Sequence, residues 1–209
     1  MTAAYVSLVF ASLFLILLAA LHFLKRELDP SWRMISEYEI GRHGWMMRAA
    51  FFCWGASVLS AVFAIWPSLQ RAGSTVGGWW LLVIAVFLFW AGIFKTDPIT
   101  DQTNSLTSKL HNLCGAVVIL TFPVAATLTA VSLMRNPLWA PARGLLRFGS
   151  VLVWLGMVSY FAAIFIARGK DPKAGQDGSR IYMGWPNRFN VATYLTWLIL
   201  VAGCALRFG

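Results

Sequence analysis

The chain has 209 residues, of which 59% are hydrophobic and only 12% charged, and its mean hydropathy is +0.69. This composition is typical of an integral membrane protein and leaves no polar block large enough for a separate water-soluble domain. The net charge of +9 does not indicate nucleic-acid binding, because the basic residues flank apolar segments, where Lys and Arg commonly contact lipid headgroups. We therefore expect membrane lipids, and no nucleic acid, among the partners of this protein.

Six apolar runs follow one another along the chain, at about residues 3–24, 47–66, 79–95, 111–134, 146–167 and 189–207. A run of roughly 18 to 22 apolar residues crosses a hydrocarbon layer about 30 Å thick. Segments in lipid must pair their own backbone polar groups, which favours helices. The predicted fold is therefore all-α: a single domain over residues 1–209, in which six transmembrane helices form a bundle of three hairpins. We interpret the first run as a retained helix, because it lacks the basic leader and cleavage site of a signal peptide.

The loops on the two sides of this bundle differ in length and charge. The loops after helices 1, 3 and 5, which together form what we call the odd pole, have about 22, 15 and 21 residues, against about 12 in the even loops. Long loops are more often functional, so we expect the working surface at the odd pole. The density of basic residues is similar at both poles, so it does not predict which pole faces the cytoplasm. All acidic residues lie in the odd loops: Glu27, Asp29, Glu37, Glu39, Asp97, Asp101, Asp171 and Asp177.

An Asp-Pro pair follows each odd-numbered apolar run, in "LKRELDP", "GIFKTDP" and "ARGKDP". Basic residues complement the dipole at a helix C-terminus, and a proline soon afterwards prevents continuation of the helix. Asp followed by Pro is also a favourable start for a new helix. We therefore predict a short interfacial helix from Pro30 to about Ile40, and a mainly structural role for the Asp-Pro pairs. Related "GWMMR" and "GWPNR" segments precede helices 2 and 6, which suggests an incomplete hairpin repeat.

All three histidines fall at the predicted odd pole, where His22 ends helix 1, His43 precedes helix 2 and His111 opens helix 4. Neutral imidazoles together with a carboxylate can bind zinc and activate a water molecule. Two histidines on separate helices at matched depth could alternatively bind haem, which we expect less than zinc. Neither spacing is a recognised metal-binding motif. The alternative is that these histidines form ordinary interfacial hydrogen bonds without any metal.

The same loops contain residue types that catalyse hydrolysis. Ser36 and Glu37 lie in "ISEY", and Asp97 follows helix 3. A serine beside a histidine and an acid can act as a nucleophile, and Glu37 or Asp97 could act as the general base of a metal hydrolase. The chain has no G-x-S-x-G segment of the kind that presents a nucleophilic serine in many hydrolases. Ser36, Glu37 and Asp97 are therefore candidate catalytic residues, and whether the protein is an enzyme stays open.

The predicted helices themselves carry architectural features. Pro123 should kink helix 4, and the hydroxyls of Thr121 and Thr127 are expected to pair with the backbone groups that it frees. No acidic or basic residue lies deep within an apolar run, and such residues are common in ion pumps and proton-coupled transporters. The sequence therefore argues against an ion-transport function.

The segments "LHFL", "LDPSWRMISEY", "GRHGW" and "GIFKTDP", followed by a histidine at the start of helix 4, resemble a bacterial membrane family known as domain of unknown function 998. The resemblance implies a six-helix, multi-pass protein of the bacterial inner membrane, and it implies no established reaction. Many relatives have a basic N-terminus, which would place the first loop outside the cytoplasm, but this chain begins without such charges. The residues that carry the resemblance are His22, Asp29, Pro30, Ser36, Glu37, Tyr38, Gly44, Asp97 and His111.

Two functions from different classes are compatible with these features. The first is a polar site at the odd pole that binds or hydrolyses a lipid or other amphiphile. The alternative is a non-catalytic subunit or scaffold of a larger membrane complex, in which the aromatic helices and the mixed-charge pole contact other membrane protein subunits.

Overall fold

The computed structural model describes residues 1–101, 105–170 and 181–209, and the residues within these ranges form helices and loops without a strand. Six helices are long and apolar enough to cross a membrane, which confirms the predicted all-α, six-helix architecture. Two short 3₁₀ helices, Ile35–Glu39 and Pro137–Ala142, lie in loops. The long helices are α1 (Thr2–Leu24), α2 (Gly44–Arg71), α3 (Val76–Ile93), α4 (Leu106–Arg135), α5 (Arg143–Lys170) and α6 (Gly184–Phe208).

The helices pack mainly against their neighbours in sequence, and α1 also contacts α6, which closes the bundle. The contact between α4 and α5 is less extensive than that within the α1–α2, α2–α3, α3–α4 and α5–α6 pairs. In the most apolar 18-residue window, α6 is 61% buried, whereas the span that contains α5 is only 17% buried. Helix α6 is thus a central element and α5 a peripheral one, with a loosely packed seam between α4 and α5.

Pro123 lies inside the continuous helix α4, and the backbone carbonyl that it leaves free is satisfied from another helix. Proline cannot donate to the carbonyl four residues earlier, which is that of Ile119. The hydroxyl of Tyr194 on α6 donates to this carbonyl at 2.7 Å. The predicted repair by threonines is wrong, because Thr121 donates to the Val117 carbonyl and Thr127 accepts from Trp154. A contact between helices therefore replaces the lost hydrogen bond.

The loop after α1 contains the predicted short helix in a shortened form. A 3₁₀ helix covers Ile35–Glu39, while Pro30 lies in a turn rather than at the first position of a helix. The Asp29 carboxylate accepts a hydrogen bond from the Ser31 N–H at 2.9 Å. Asp29 thus stabilises a local turn, as aspartate commonly does when its side chain bonds to the backbone two residues on.

Glycines of the two "GW" segments bring this loop into close contact with α2 and α6. A Cβ atom on Gly44 would lie 1.9 Å from the Glu39 carbonyl oxygen, and one on Gly184 would lie 2.3 Å from the Pro30 carbonyl oxygen. Both distances are far shorter than a van der Waals contact. Glycine is therefore required at both positions, and the first loop is held tightly across the ends of α2 and α6.

Candidate functional site

Arg188, in the first turn of α6, organises the first loop. It is only 6% exposed, and its Nη1 donates to the Arg33 carbonyl at 2.7 Å and to the Gly184 carbonyl at 3.0 Å. Its Nη2 donates to the Tyr38 hydroxyl at 2.8 Å. The rigid guanidinium fork can supply several donors at once, which makes it suited to joining separate backbone segments. Arg188 is thus a structural centre of the odd pole rather than a free anchor for lipid phosphate.

His22 belongs to the same cluster and has both ring nitrogens engaged. Its Nδ1 lies 2.7 Å from the Leu18 carbonyl oxygen, which can only accept, so Nδ1 carries the proton. Its Nε2 accepts a hydrogen bond of 2.7 Å from Nε of Arg188. A metal ion would need one of these nitrogens, so metal binding at His22 would break a contact that holds the first loop.

Glu37 connects the first loop to the loop after α3. Its Oε1 accepts from the Ile99 N–H at 2.8 Å and lies 3.0 Å from Nη2 of Arg33. Its Oε2 accepts from the Met34 N–H at 3.1 Å. Burial raises the pKa of Glu37 above its ordinary value, while the hydrogen bond from Ile99 and the Arg33 charge oppose that rise. Because both carboxylate oxygens accept hydrogen bonds from the protein, Glu37 holds the first loop and the loop after α3 together.

The side chain of Glu39 is fully buried and lies beside His111. Its Oε2 accepts from the Thr96 N–H at 3.3 Å and lies 3.9 Å from Nδ1 of His111, whereas its Oε1 has no partner among the described residues. Burial raises the pKa of Glu39 to about 8, with the Thr96 hydrogen bond partly opposing the rise. Glu39 is therefore largely a neutral acid at pH 7.

Asp97 stabilises the start of α4. Its Oδ2 accepts from the Ser105 N–H at 2.7 Å, and its own N–H donates to the Ser108 hydroxyl at 3.1 Å. The Ser105 side chain in turn caps α4 by accepting from the Ser108 N–H. Such caps satisfy backbone donors that a helix start leaves unpaired. This geometry assigns Asp97 a structural role, and the Asp-Pro pair at 171–172 lies outside the described residues.

The three histidines do not come together in the structure. Within residues 1–101, 105–170 and 181–209, no three His, Cys, Asp or Glu side chains are close enough to share a metal ion. His22 binds Arg188, His111 packs near Glu39, and His43 is half-buried at the start of α2 with a φ of 65°. Within these ranges the donor set therefore does not provide the three protein ligands of a zinc site, and the metal-ligand roles of His22, His43 and His111 stay predictions without geometric support.

A cavity of about 330 Å³ lies next to these clusters, inside the odd-pole half of the bundle. Most of its wall is apolar, and five of the six long helices contribute to it. Its α4 side contains the exposed Asn112 and Ala116, and its α5 side contains the half-buried Phe161 and Ile164. Because the cavity borders the loosely packed α4–α5 seam, its lateral wall faces the surface that a membrane-spanning bundle presents to lipid.

His111 and Ser36 are the predicted site residues that line this cavity. Nδ1 of His111 lies 2.8 Å from the Phe94 carbonyl oxygen and 3.0 Å from that of Ala91, so Nδ1 carries a proton. Nε2 has no hydrogen bond within the described residues, and it is not among the atoms enclosed by packing. The accessible space beside this residue is the cavity. Nε2 is therefore open to a molecule inside it.

Sequence reasoning missed Asn187, a further polar residue of the cavity wall. Its Oδ1 accepts from the Ile35 N–H at 3.2 Å, which fixes the 3₁₀ helix to α6. The amide nitrogen Nδ2 of Asn187 points away from the hydrogen bond to Ile35. It is thus a further polar group of the cavity wall. The repeated G-W-x-x-R pattern could have drawn attention to this region, because Asn187 immediately precedes Arg188, the arginine of the second segment. The pattern gave no indication that the arginine is buried.

The fold and the site define a polytopic α-helical membrane protein with a largely apolar cavity below a tightly hydrogen-bonded pole. The chain belongs to a family described as protein of unknown function (DUF998), whose family model matches residues 8–203. The resemblance found in the sequence is thus confirmed over nearly the whole chain. No curated protein and no solved structure matches the chain significantly.

Proposed function

We propose that this protein binds a lipid or another amphiphile in the cavity between α4 and α5, in the inner membrane of a bacterium. The observation that carries the proposal is the cavity itself, which combines an apolar wall with a few polar groups at the odd pole. Its volume of about 330 Å³ lies within the range of roughly 300–1,000 Å³ that is typical of small-molecule sites. An apolar chain in the cavity would leave its polar end near His111 and Ser36.

Access from the bilayer supports an amphiphile over a water-soluble ligand. Phe165 and Ile166 on α5 are exposed, at 70% and 60%, just beyond the cavity wall. Exposed apolar side chains on a membrane-spanning helix contact lipid tails, so a molecule that reaches the α4–α5 seam from the bilayer does not cross water. The apolar wall then stabilises the chain by dispersion contacts, which are the main attraction available within lipid.

Binding is supported better than hydrolysis. Ser36 lines the cavity, but among the described residues no hydrogen bond joins it to a histidine or a carboxylate. A serine nucleophile needs such a base within hydrogen-bond reach. Glu37 and Asp97, the candidate general bases, accept backbone N–H groups and do not line the cavity. The alternative is a subunit or scaffold of a membrane complex, and the part of the chain that the structure describes offers no specific contact surface in its favour.

The test uses a leucine placed inside the cavity and a matched leucine outside it. Gly115 lines the cavity, and a Cβ atom there would meet nothing within 4 Å, so Gly115→Leu fills space without a backbone clash. Gly203 on α6 has equally open surroundings, is exposed and lies outside the cavity. Both variants make the same change in helix propensity. Gly203→Leu is thus the control for Gly115→Leu.

Binding can be measured by native mass spectrometry of the detergent-purified protein with 18-carbon-chain amphiphiles: monooleoylglycerol, oleate and oleoyl lysophosphatidic acid. We expect at least one of them to bind the wild type and the Gly203→Leu protein with 1:1 stoichiometry, and to bind the Gly115→Leu protein at least about tenfold more weakly. Equal binding of all three proteins to every probe would contradict the proposal, as would the absence of any 1:1 complex.

A further inference from the structure

The part of the cavity wall that the structure describes contains no acidic, lysine or arginine side chain, and this bears on the kind of headgroup that the cavity accepts. None of the described residues in its wall is Asp, Glu, Lys or Arg. The buried charged residues nearby are engaged elsewhere, since Arg33 pairs with Glu37 and Arg188 bonds to backbone carbonyls and Tyr38. Among the described residues, a phosphate or carboxylate headgroup in the cavity would therefore lack a cationic partner.

One wall group is a hydrogen-bond acceptor. Nδ1 of His111 faces two carbonyl oxygens and must carry a proton, which leaves Nε2 as the acceptor of the neutral ring. A charged imidazole would need a buried anion, and Glu39, 3.9 Å away, is largely a neutral acid at pH 7. The open nitrogen of His111 is thus suited to receive a hydroxyl proton.

Asn187 and Ser36 in the wall can donate hydrogen bonds to a headgroup. The Oδ1 of Asn187 is used by the Ile35 N–H, so its Nδ2 group remains as the donor. The Ser36 hydroxyl has no partner within the described residues and is not enclosed by packing. A hydroxyl can donate to an oxygen of a ligand as well as accept from it. The described wall residues therefore offer both hydrogen-bond donors and an acceptor, without a fixed charge.

We infer that the cavity selects an uncharged, hydroxyl-bearing amphiphile of the monoacylglycerol class, with one hydroxyl donating to Nε2 of His111 and a second oxygen accepting from the Ser36 hydroxyl. This inference rests on the proposed function and specifies its ligand class. Burying an ionised headgroup without a partner is much more costly than burying a hydroxyl that finds hydrogen bonds. Discrimination therefore follows from the lack of a cation among the described wall residues as well as from the matching polar groups.

The experiment compares two probes with the same acyl chain, monooleoylglycerol and oleoyl lysophosphatidic acid. In a competition assay followed by native mass spectrometry, we expect the wild type to prefer monooleoylglycerol by at least about tenfold. Ser36→Ala should weaken monooleoylglycerol binding by about fivefold, as expected for the loss of one hydrogen bond of ordinary strength. The control is Ser60→Ala on α2, because Ser60 is also half-buried but does not line the cavity.

The outcomes separate this inference from the proposed function. If oleoyl lysophosphatidic acid binds as tightly as monooleoylglycerol or more tightly, and Gly115→Leu still abolishes that binding, the cavity is a site but the inferred ligand class is wrong. If Ser36→Ala and Ser60→Ala have equal effects, the hydroxyl of Ser36 does not contact the headgroup and the assigned pose is overturned. If neither probe responds to Gly115→Leu, the proposed function itself fails.

Discussion

Replacing Glu39 with glutamine should make the protein less sensitive to high pH. Burial raises the pKa of Glu39 to about 8 from an ordinary value of 4.5. Between these two values the folded state holds a proton that the unfolded state has released, so the free energy of unfolding falls as the pH rises. Integrating this linkage from pH 6 to pH 9 gives a loss of about 2 to 3 kcal/mol for the wild type.

Glutamine keeps an oxygen that can accept from the Thr96 N–H but cannot ionise. We therefore expect the difference in unfolding free energy between Glu39→Gln and the wild type to grow in favour of the variant by about 2 to 3 kcal/mol over that range. Equilibrium unfolding in mixed micelles, followed by tryptophan fluorescence at pH 6 and pH 9, measures this difference, and other titrating groups cancel in it. A difference that stays constant between the two pH values would refute a buried, neutral Glu39.

Three further substitutions test separate contacts, the first two by the same unfolding assay and the third by the yield of folded, monodisperse protein. Tyr194→Phe should cost about 1 to 3 kcal/mol, because it leaves the Ile119 carbonyl unpaired inside the bundle; an unchanged stability would show that water or another group satisfies this carbonyl. Arg188→Lys should cost about 2 to 4 kcal/mol, since lysine cannot reproduce the guanidinium fork, and full stability would mean that one donor suffices. Gly44→Ala should prevent correct folding, because its Cβ would lie 1.9 Å from the Glu39 carbonyl oxygen; a stable, folded Gly44→Ala protein would show that the first loop can move.

The number and order of the membrane-spanning helices could be predicted from the sequence because apolar length alone determines them. The ends were less predictable, since polar residues that end α2 and begin α4 extend each helix beyond its apolar run. Helix α4, for example, starts at Leu106, five residues before the predicted position at His111. The Ser105 cap and the Asp97 carboxylate determine where α4 starts. The Asp97 contact requires the loop after α3 to fold back onto the start of α4, which composition does not predict.

The candidate site was predictable only in its location. The histidines and the described acids do lie at one pole, but the sequence could not show that Glu37 and Asp97 would accept hydrogen bonds from backbone N–H groups. It also could not show that His22 would pair with Arg188 across 166 positions of the chain. Such long-range pairings depend on how the loop after α1 folds over α6. The cavity was likewise beyond reach, because its wall comes from five helices that only packing brings together.

The central claim is that an amphiphile occupies the cavity at the α4–α5 seam, and photocrosslinking tests it most directly. The protein would be illuminated with a monooleoylglycerol analogue that carries a diazirine in its acyl chain, and the labelled peptides would be mapped by mass spectrometry. The account predicts labels concentrated on the cavity segments 115–119 and 160–164, and their loss in the Gly115→Leu variant. Labels spread over lipid-facing positions such as Val9 and Phe63, without any effect of Gly115→Leu, would contradict it.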